Sequence, residues 1–222
     1  MRTILPCIIT ILTVFAFSGC RQDDVSPIRN VRFDPKLLNP LKAAGGCTNY
    51  SYHTGGKLRN LGTIHTSSVV VAFNDNQTDA QLQQTLAKYG FVTGVLSQRV
   101  SHTGKVYTLG LINGLSCAQA GQAILELKKD KAIRYAGPVF NLDGNQAVGL
   151  SNELMVKTET GGEVALKTFA AAHNAKVVGP LGADTYLLSI DKSADGNAIE
   201  LSNALKSVRG IAQANPDFIL AQ

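Results

Sequence analysis

From position 68 onward the apolar residues fall into short periodic blocks. Ser68-Val69-Val70-Val71-Ala72-Phe73 is β-branched and apolar, and Asn74 to Gln77 break it, which predicts a strand. Thr78-Asp79-Ala80-Gln81 is a capping box, because the threonine oxygen and the glutamine side chain can each satisfy a free amide of a first helical turn. Leu82, Leu86 and Tyr89 follow on one helical face, and Gly90 is the expected left-handed stop. Two strands come next, Phe91 to Val100 and Lys105 to Asn113, joined across His102-Thr103-Gly104 as a hairpin. Ser116 is placed to cap a second helix with a buried stripe of Ala120, Ile124 and Leu127, closed by Lys128-Lys129 at the negative end of its dipole. Ile133 to Phe140 is the last strand of a β-α-β-β-α-β order.

The same order then restarts. Leu154 to Thr158 predicts a strand, and a helix with Val164, Leu166 and Phe169 follows. Strands at Lys176 to Leu181 and Thr185 to Ile190 come next, then a helix over Asp195 to Ser207 burying Ile199, Ala204 and Leu205, and a strand from Ile211 to Leu220. Both copies end in one pattern, Ile133-x-x-Ala136-x-Pro138-x-Phe140-x-Leu142 and Ile211-x-x-Ala214-x-Pro216-x-Phe218-x-Leu220. Identical residues at identical spacing indicate an internal duplication. The copies differ mainly in the middle hairpin, about six residues shorter in the second. The expected fold class is α+β: two tandem ferredoxin-like β-α-β-β-α-β domains, each a four-stranded antiparallel sheet with two helices on one face. The expected divisions are a leader at 1–19, a stalk at 20–66, domain 1 at 67–142, a polar linker at 143–152 and domain 2 at 153–222. Within the stalk, Tyr50 to Ile64 could add a strand.

Composition agrees with a folded chain: 222 residues, 45% hydrophobic and 17% charged, enough for two small domains. The net charge of +5 is scattered and Trp is absent, so neither a basic face nor an aromatic-basic motif points to nucleic acid, and no nucleic-acid partner is expected. Met1-Arg2 precedes an apolar run, Ile4 to Phe17, which is too short to span a bilayer and has the shape of an export signal. It ends in Phe17-Ser18-Gly19-Cys20, which resembles a bacterial lipobox, with Phe17 in the place of the usual leucine. That resemblance implies lipidation at Cys20 and a lipid-anchored place in the cell envelope, outer membrane, periplasmic or surface-facing. With Cys7 removed and Cys20 modified, Cys47 and Cys117 remain. They can pair, closing a loop of about 70 residues, or stay as two buried thiols; no spacing rule decides between these.

No catalytic constellation is present. His53, His65, His102 and His173 make no H-x-x-x-H or H-E-x-x-H spacing, there is no C-x-x-C and there is no G-x-S-x-G elbow. Gly55-Gly56 and Gly161-Gly162 lack the further glycines of a phosphate loop and read as turns. No catalytic residue, metal site or cofactor is expected, and the chain is not expected to be an enzyme.

The unit that opens Glu153-Leu154-Met155-Val156-Lys157, carries Thr185-Tyr186-Leu187-Leu188-Ser189-Ile190 and finishes Ile211-Ala212-Gln213-Ala214-Asn215-Pro216-Asp217-Phe218 resembles the propeptide, or inhibitor, domain of subtilisin-like serine proteases, of the fervidolysin type. The resemblance covers about 68–142 and 153–222. It implies a stand-alone inhibitor or folding chaperone of a subtilisin-like protease, with the tail Phe218, Ile219, Leu220, Ala221 and Gln222 lying in the protease cleft as a bound product. Ile219 would then fill an apolar pocket and Gln222 present its carboxylate. The protease signatures Asp-Thr-Gly, His-Gly-Thr-His and Gly-Thr-Ser-Met-Ala are all absent, so the resemblance does not extend to the enzyme. A different reading is a surface binding or scaffold module that uses sheet aromatics, with Tyr107, Tyr135 and Tyr186 as candidates. A third is a separated propeptide of a protease encoded elsewhere.

Overall fold

The computed structural model describes residues 46–142 and 146–221. The expected leader at 1–19, the lipidation expected at Cys20, the rest of the segment to 45, and Gln222 lie outside them. The protein is α+β, and its described residues form mostly antiparallel strands and four helices: β1 (Tyr50–Thr54), β2 (Lys57–Gly62), β3 (Ser68–Phe73), α1 (Asp79–Leu86), β4 (Val92–Ser101), β5 (Gly104–Leu111), α2 (Cys117–Lys129), β6 (Ile133–Leu142), β7 (Gln146–Thr158), α3 (Glu163–Ala172), β8 (Lys176–Gly182), β9 (Thr185–Ser189), α4 (Ala198–Leu205) and β10 (Ile211–Leu220).

Local chemistry accounts for the helix ends. Thr78 with Gln81, Ser116 with Gln119 and Asn197 with Glu200 each form a reciprocal capping box. Helix α1 ends at Leu86, however, with Ala87 as its cap. Gly90 is not among the residues of positive φ, so it is no left-handed stop, and Tyr89 falls beyond the helix. The fourth helix is shorter than its apolar spacing suggests because Asn197 accepts the amides of Ile199 and Glu200 and so sets the first turn there. Ala204 and Val164 are exposed; Ile199 and Leu205 are buried as expected, and Leu201 joins them on α4.

One path of strands runs β4-β5-β3-β6-β7-β9-β8, and β10 pairs with β7. Strand β7 connects everything. Its first residues pair with β6 (Val139↔Gly149, Phe140↔Val148), its second half pairs with β9 (Leu154↔Leu188), and β10 runs along its other edge (Pro216↔Leu154, Phe218↔Leu150, Leu220↔Val148). The expected linker at 143–152 is therefore corrected. Gln146 to Asn152 are strand, and Ala147 to Asn152 are buried. Small and polar residues hid this, since Ala147-Val148-Gly149-Leu150-Ser151-Asn152 has no clean two-residue alternation, yet β10 pairs along one edge of the segment and β6 along the first part of the other.

The stalk is corrected in the same way from Tyr50 onward. Strands β1 and β2 form a hairpin turned by Gly55 and Gly56, both at positive φ, the pair of conformations that a two-residue hairpin turn requires. Tyr50 stands edge-on to Phe140 with ring centroids 5.2 Å apart, and Tyr52 lies 5.5 Å from Phe218. Aromatic contacts of this kind contribute about 0.5–1.5 kcal/mol each beyond their buried area, so the hairpin is docked onto β6 and β10.

A large core fills the helical side, built from Val69, Val71 and Phe73 with Leu82, Leu86, Ile124 and Leu127, and in the second half from Leu154, Val156, Leu166, Leu188 and Leu205. A second, smaller core occupies the other side: Val70, Ala72, Val106, Tyr135, Val139, Ala147 and Ala221, with Ile219 against them. It exists because the sheet curls. Val70 on β3 and Gly149 on β7 are separated by β6, yet a side chain at 149 would collide with Val70. Tyr135, 1% exposed, donates its hydroxyl to the Leu150 carbonyl at 3.0 Å across the same fold.

Candidate functional site

The two halves are built from similar elements but differ at one hairpin. Strands β4 and β5 have ten and eight residues, whereas β8 and β9 have seven and five. The extra length carries the tip, Ser101 to Gly104, onto β7. There the Thr103 amide donates to Glu153 Oε1 at 2.6 Å, Asn152 Nδ2 donates to Thr103 Oγ1 at 2.9 Å, and Arg134 Nη2 donates to the Thr103 carbonyl at 2.9 Å. These bonds close a clasp between residues fifty positions apart in sequence.

Beside the clasp lies a cleft of about 420 Å³, lined by Val100, His102, Glu153, Met155, Asp217 and Ile219 among others. Glu153 is 1% exposed. Asp217 Oδ2 accepts the Ser151 hydroxyl at 2.8 Å, and the same hydroxyl oxygen accepts the Glu153 amide at 3.1 Å. Burial pushes the Asp217 carboxyl above the ordinary aspartate range, and the neighbouring Glu153 adds to the shift; the hydrogen bonds from Ser151 and the Phe218 amide, and the charge of His102, oppose it. The cleft thus joins two carboxylates, an imidazole and apolar walls. None of this is readable from spacing, because the residues come from a hairpin tip, β7 and β10. The signals present in the sequence were the longer first hairpin and the lone charge Glu153 heading an apolar strand.

The tail predicted for a protease cleft is placed otherwise. Phe218, Ile219 and Leu220 pair with Leu150, Gly149 and Val148, and Ala221 is 1% exposed with its amide donating to the Ala147 carbonyl at 3.0 Å. The segment closes the sheet because its apolar residues complete the smaller core, which a strand end left in solvent would expose. The candidate aromatics are also internal: Tyr107 and Tyr135 are buried, and Tyr186 is half-buried with its hydroxyl on Glu163 at 3.0 Å.

Cys47 and Cys117 are joined in a disulfide that ties the segment ahead of β1 to the start of α2. Next to it a groove of about 450 Å³ separates α2 from α4, bordered by Tyr50, Leu125, Lys128 and Glu200. Burial lowers the Lys128 ammonium from the usual lysine range, and Glu200 opposes this. Of the other histidines, His65 bonds Ser68 Oγ at 2.8 Å, His53 lies in β1, and His173 caps α3 with its ring 4.2 Å from Phe169. Among the described residues no group of three or more His, Cys, Asp or Glu could hold a metal ion, and no helix is long and apolar enough to cross a membrane.

At the end of the sheet β4 pairs only with β5, and among the described residues nothing pairs with its outer edge. Val95, Leu96 and Val100 are 37%, 57% and 78% exposed there. The opposite end, β8, carries Pro180 and an irregularity in each half, features that guard an edge. Strand β4 is irregular only between Val92 and Ser97, and from Ser97 to Ser101 it runs in register.

No family model matches the chain, and no curated protein matches it. A solved structure described as an Sxl-lethal protein/RNA complex is similar to it, with 13% identity, 68% of this chain and 99% of that chain covered, and a TM-score of 0.28. The partner expectation is corrected at this point. The tail assigned to a subtilisin-like protease is the closing strand of the sheet, paired along β7. Neither the protease nor the expected absence of nucleic acid is retained, and a likeness at this TM-score does not put RNA in their place.

Proposed function

We propose that the chain is a non-catalytic binding or scaffold module: two ferredoxin-like β-α-β-β-α-β units fused through β7, which takes an extended segment of a protein partner onto the edge of β4. The orders β4-β5-β3-β6 and β8-β9-β7-β10 support the two-unit reading, since each has the strand succession of that fold. The observation that carries the binding reading is the regular Ser97–Ser101 edge, unpaired among the described residues, with Val100 78% exposed. Such an edge gives a partner backbone hydrogen bonds for affinity and alternate side-chain contacts for selection. The resemblance of Met1 to Cys20 to an export leader ending in a lipobox supports a cell-envelope place for this activity.

The test is a display library of extended peptides selected on the full chain, followed by amide hydrogen exchange of the bound state. Protection of the Gln98 and Val100 region, with binding lost in Gln98→Pro and retained in Val178→Pro on β8, is the expected result. Selected peptides that bind Gln98→Pro as well as the parent would refute strand addition at β4.

A further inference from the structure

We infer that the cleft at the end of β4 seats a cationic group, the alkylammonium or guanidinium of a basic side chain carried by the bound segment. The inference rests on the binding-module reading and names the chemistry of its partner. Glu153 is 1% exposed and lines the cleft; its Oε1 takes the Thr103 amide, and among the described residues no donor reaches Oε2. Neither Glu153 nor Asp217 belongs to any ion pair among the described residues.

Arg134, whose guanidinium reaches the hairpin tip beside the cleft, is engaged elsewhere. Arg134 directs Nη2 to the Thr103 carbonyl and Nη1 to Asp75, so it braces the clasp rather than neutralising the cleft. A buried carboxylate without a cation is costly, and a guest cation that also accepts the available hydrogen-bond geometry relieves that cost. Walls from Val100, Met155 and Ile219 suit the methylene stem of lysine or arginine, whose charged head would reach Glu153 and Asp217 at the floor. Ser101 is both the last residue of β4 and part of the cleft, so a segment paired along Ser97–Ser101 delivers a side chain to its mouth.

Titration of the isotope-labelled full chain with n-butylammonium and n-butylguanidinium, read at the Thr103 and Phe218 amides, tests this, with n-butyrate as the control. Saturable shifts with the cations and none with butyrate are expected. Asp217→Asn, which keeps an oxygen for Ser151, should weaken binding about tenfold, the loss of one charge-assisted contact, and Glu153→Gln serves if that variant folds poorly. Equal shifts from butyrate, or unchanged affinity in both folded variants, would overturn the inference. The probes do not involve the β4 edge, so a failed titration leaves strand addition standing, and failed peptide selection leaves the cleft standing.

Discussion

Replacing Gly149 by alanine tests the curl that makes one body of the two halves. Gly149 has no positive φ, and in a strand alanine is otherwise favoured over glycine by about 0.5–1 kcal/mol, so any loss of stability must be steric. A methyl at 149 would overlap Val70 Cγ2 and stand 3.3 Å from Ile219 Cγ1 and 3.5 Å from Val70 Cβ. Val70 is wholly buried in the centre of the sheet and cannot turn away, so the overpacking is expected to destabilise by about 1–3 kcal/mol. Val70→Ala alone removes about two methylenes' worth of burial, about 1.6 kcal/mol before any cavity term. In the double variant the new methyl fills the space left by the old ones. The pair should therefore be more stable than the sum of the singles by about 1–2 kcal/mol. Urea unfolding of the four proteins at constant slope measures this cycle. A Gly149→Ala protein as stable as the parent, or singles that add to within about 0.5 kcal/mol, would show that β3 and β7 do not meet across β6.

Two further outcomes follow from the cysteines and from Asp217. Replacing both Cys47 and Cys117 by serine opens a loop of 70 residues and should lower unfolding stability by about 4 kcal/mol; equal stability of parent and variant in thermal or urea unfolding would show that the bridge adds nothing. The Asp217 carboxyl is raised in the folded state, so the folded protein holds that proton more tightly than the unfolded chain, and its contribution to stability declines as pH rises from the ordinary aspartate range, about 3.9, through the raised value. Asp217→Asn should remove that decline and gain on the parent with rising pH, as followed by thermal unfolding across an acid-to-neutral series; parallel curves would refute it.

Residues that act on near neighbours were readable in the sequence. The caps at Thr78 and Ser116 and the strands Ser68–Phe73 and Ile211–Leu220 depend on contacts within a few positions or on two-residue periodicity, and they lie where the pattern puts them. The repeated Pro-x-Phe endings likewise mark β6 and β10. What escaped was the fate of segments whose local pattern is neutral. Tyr50–Gly62 reads as stalk with room for one strand, and Phe140 and Phe218 supply the rings on which it packs as a two-stranded hairpin. Gln146–Asn152 looked like linker until β6 and β10 lined up on its two edges, and Ile219–Ala221, a strand end by its pattern but a protease-bound tail by the resemblance, is held by the core that the curled face offers. The cleft belongs to the same class, since His102, Glu153 and Asp217 become neighbours only when the longer hairpin reaches β7. Backbone preference and periodicity are properties of short stretches and are written in the sequence. Strand edges, sheet curl and the burial of a lone carboxylate depend on what arrives from far along the chain, and only the tertiary structure decides them.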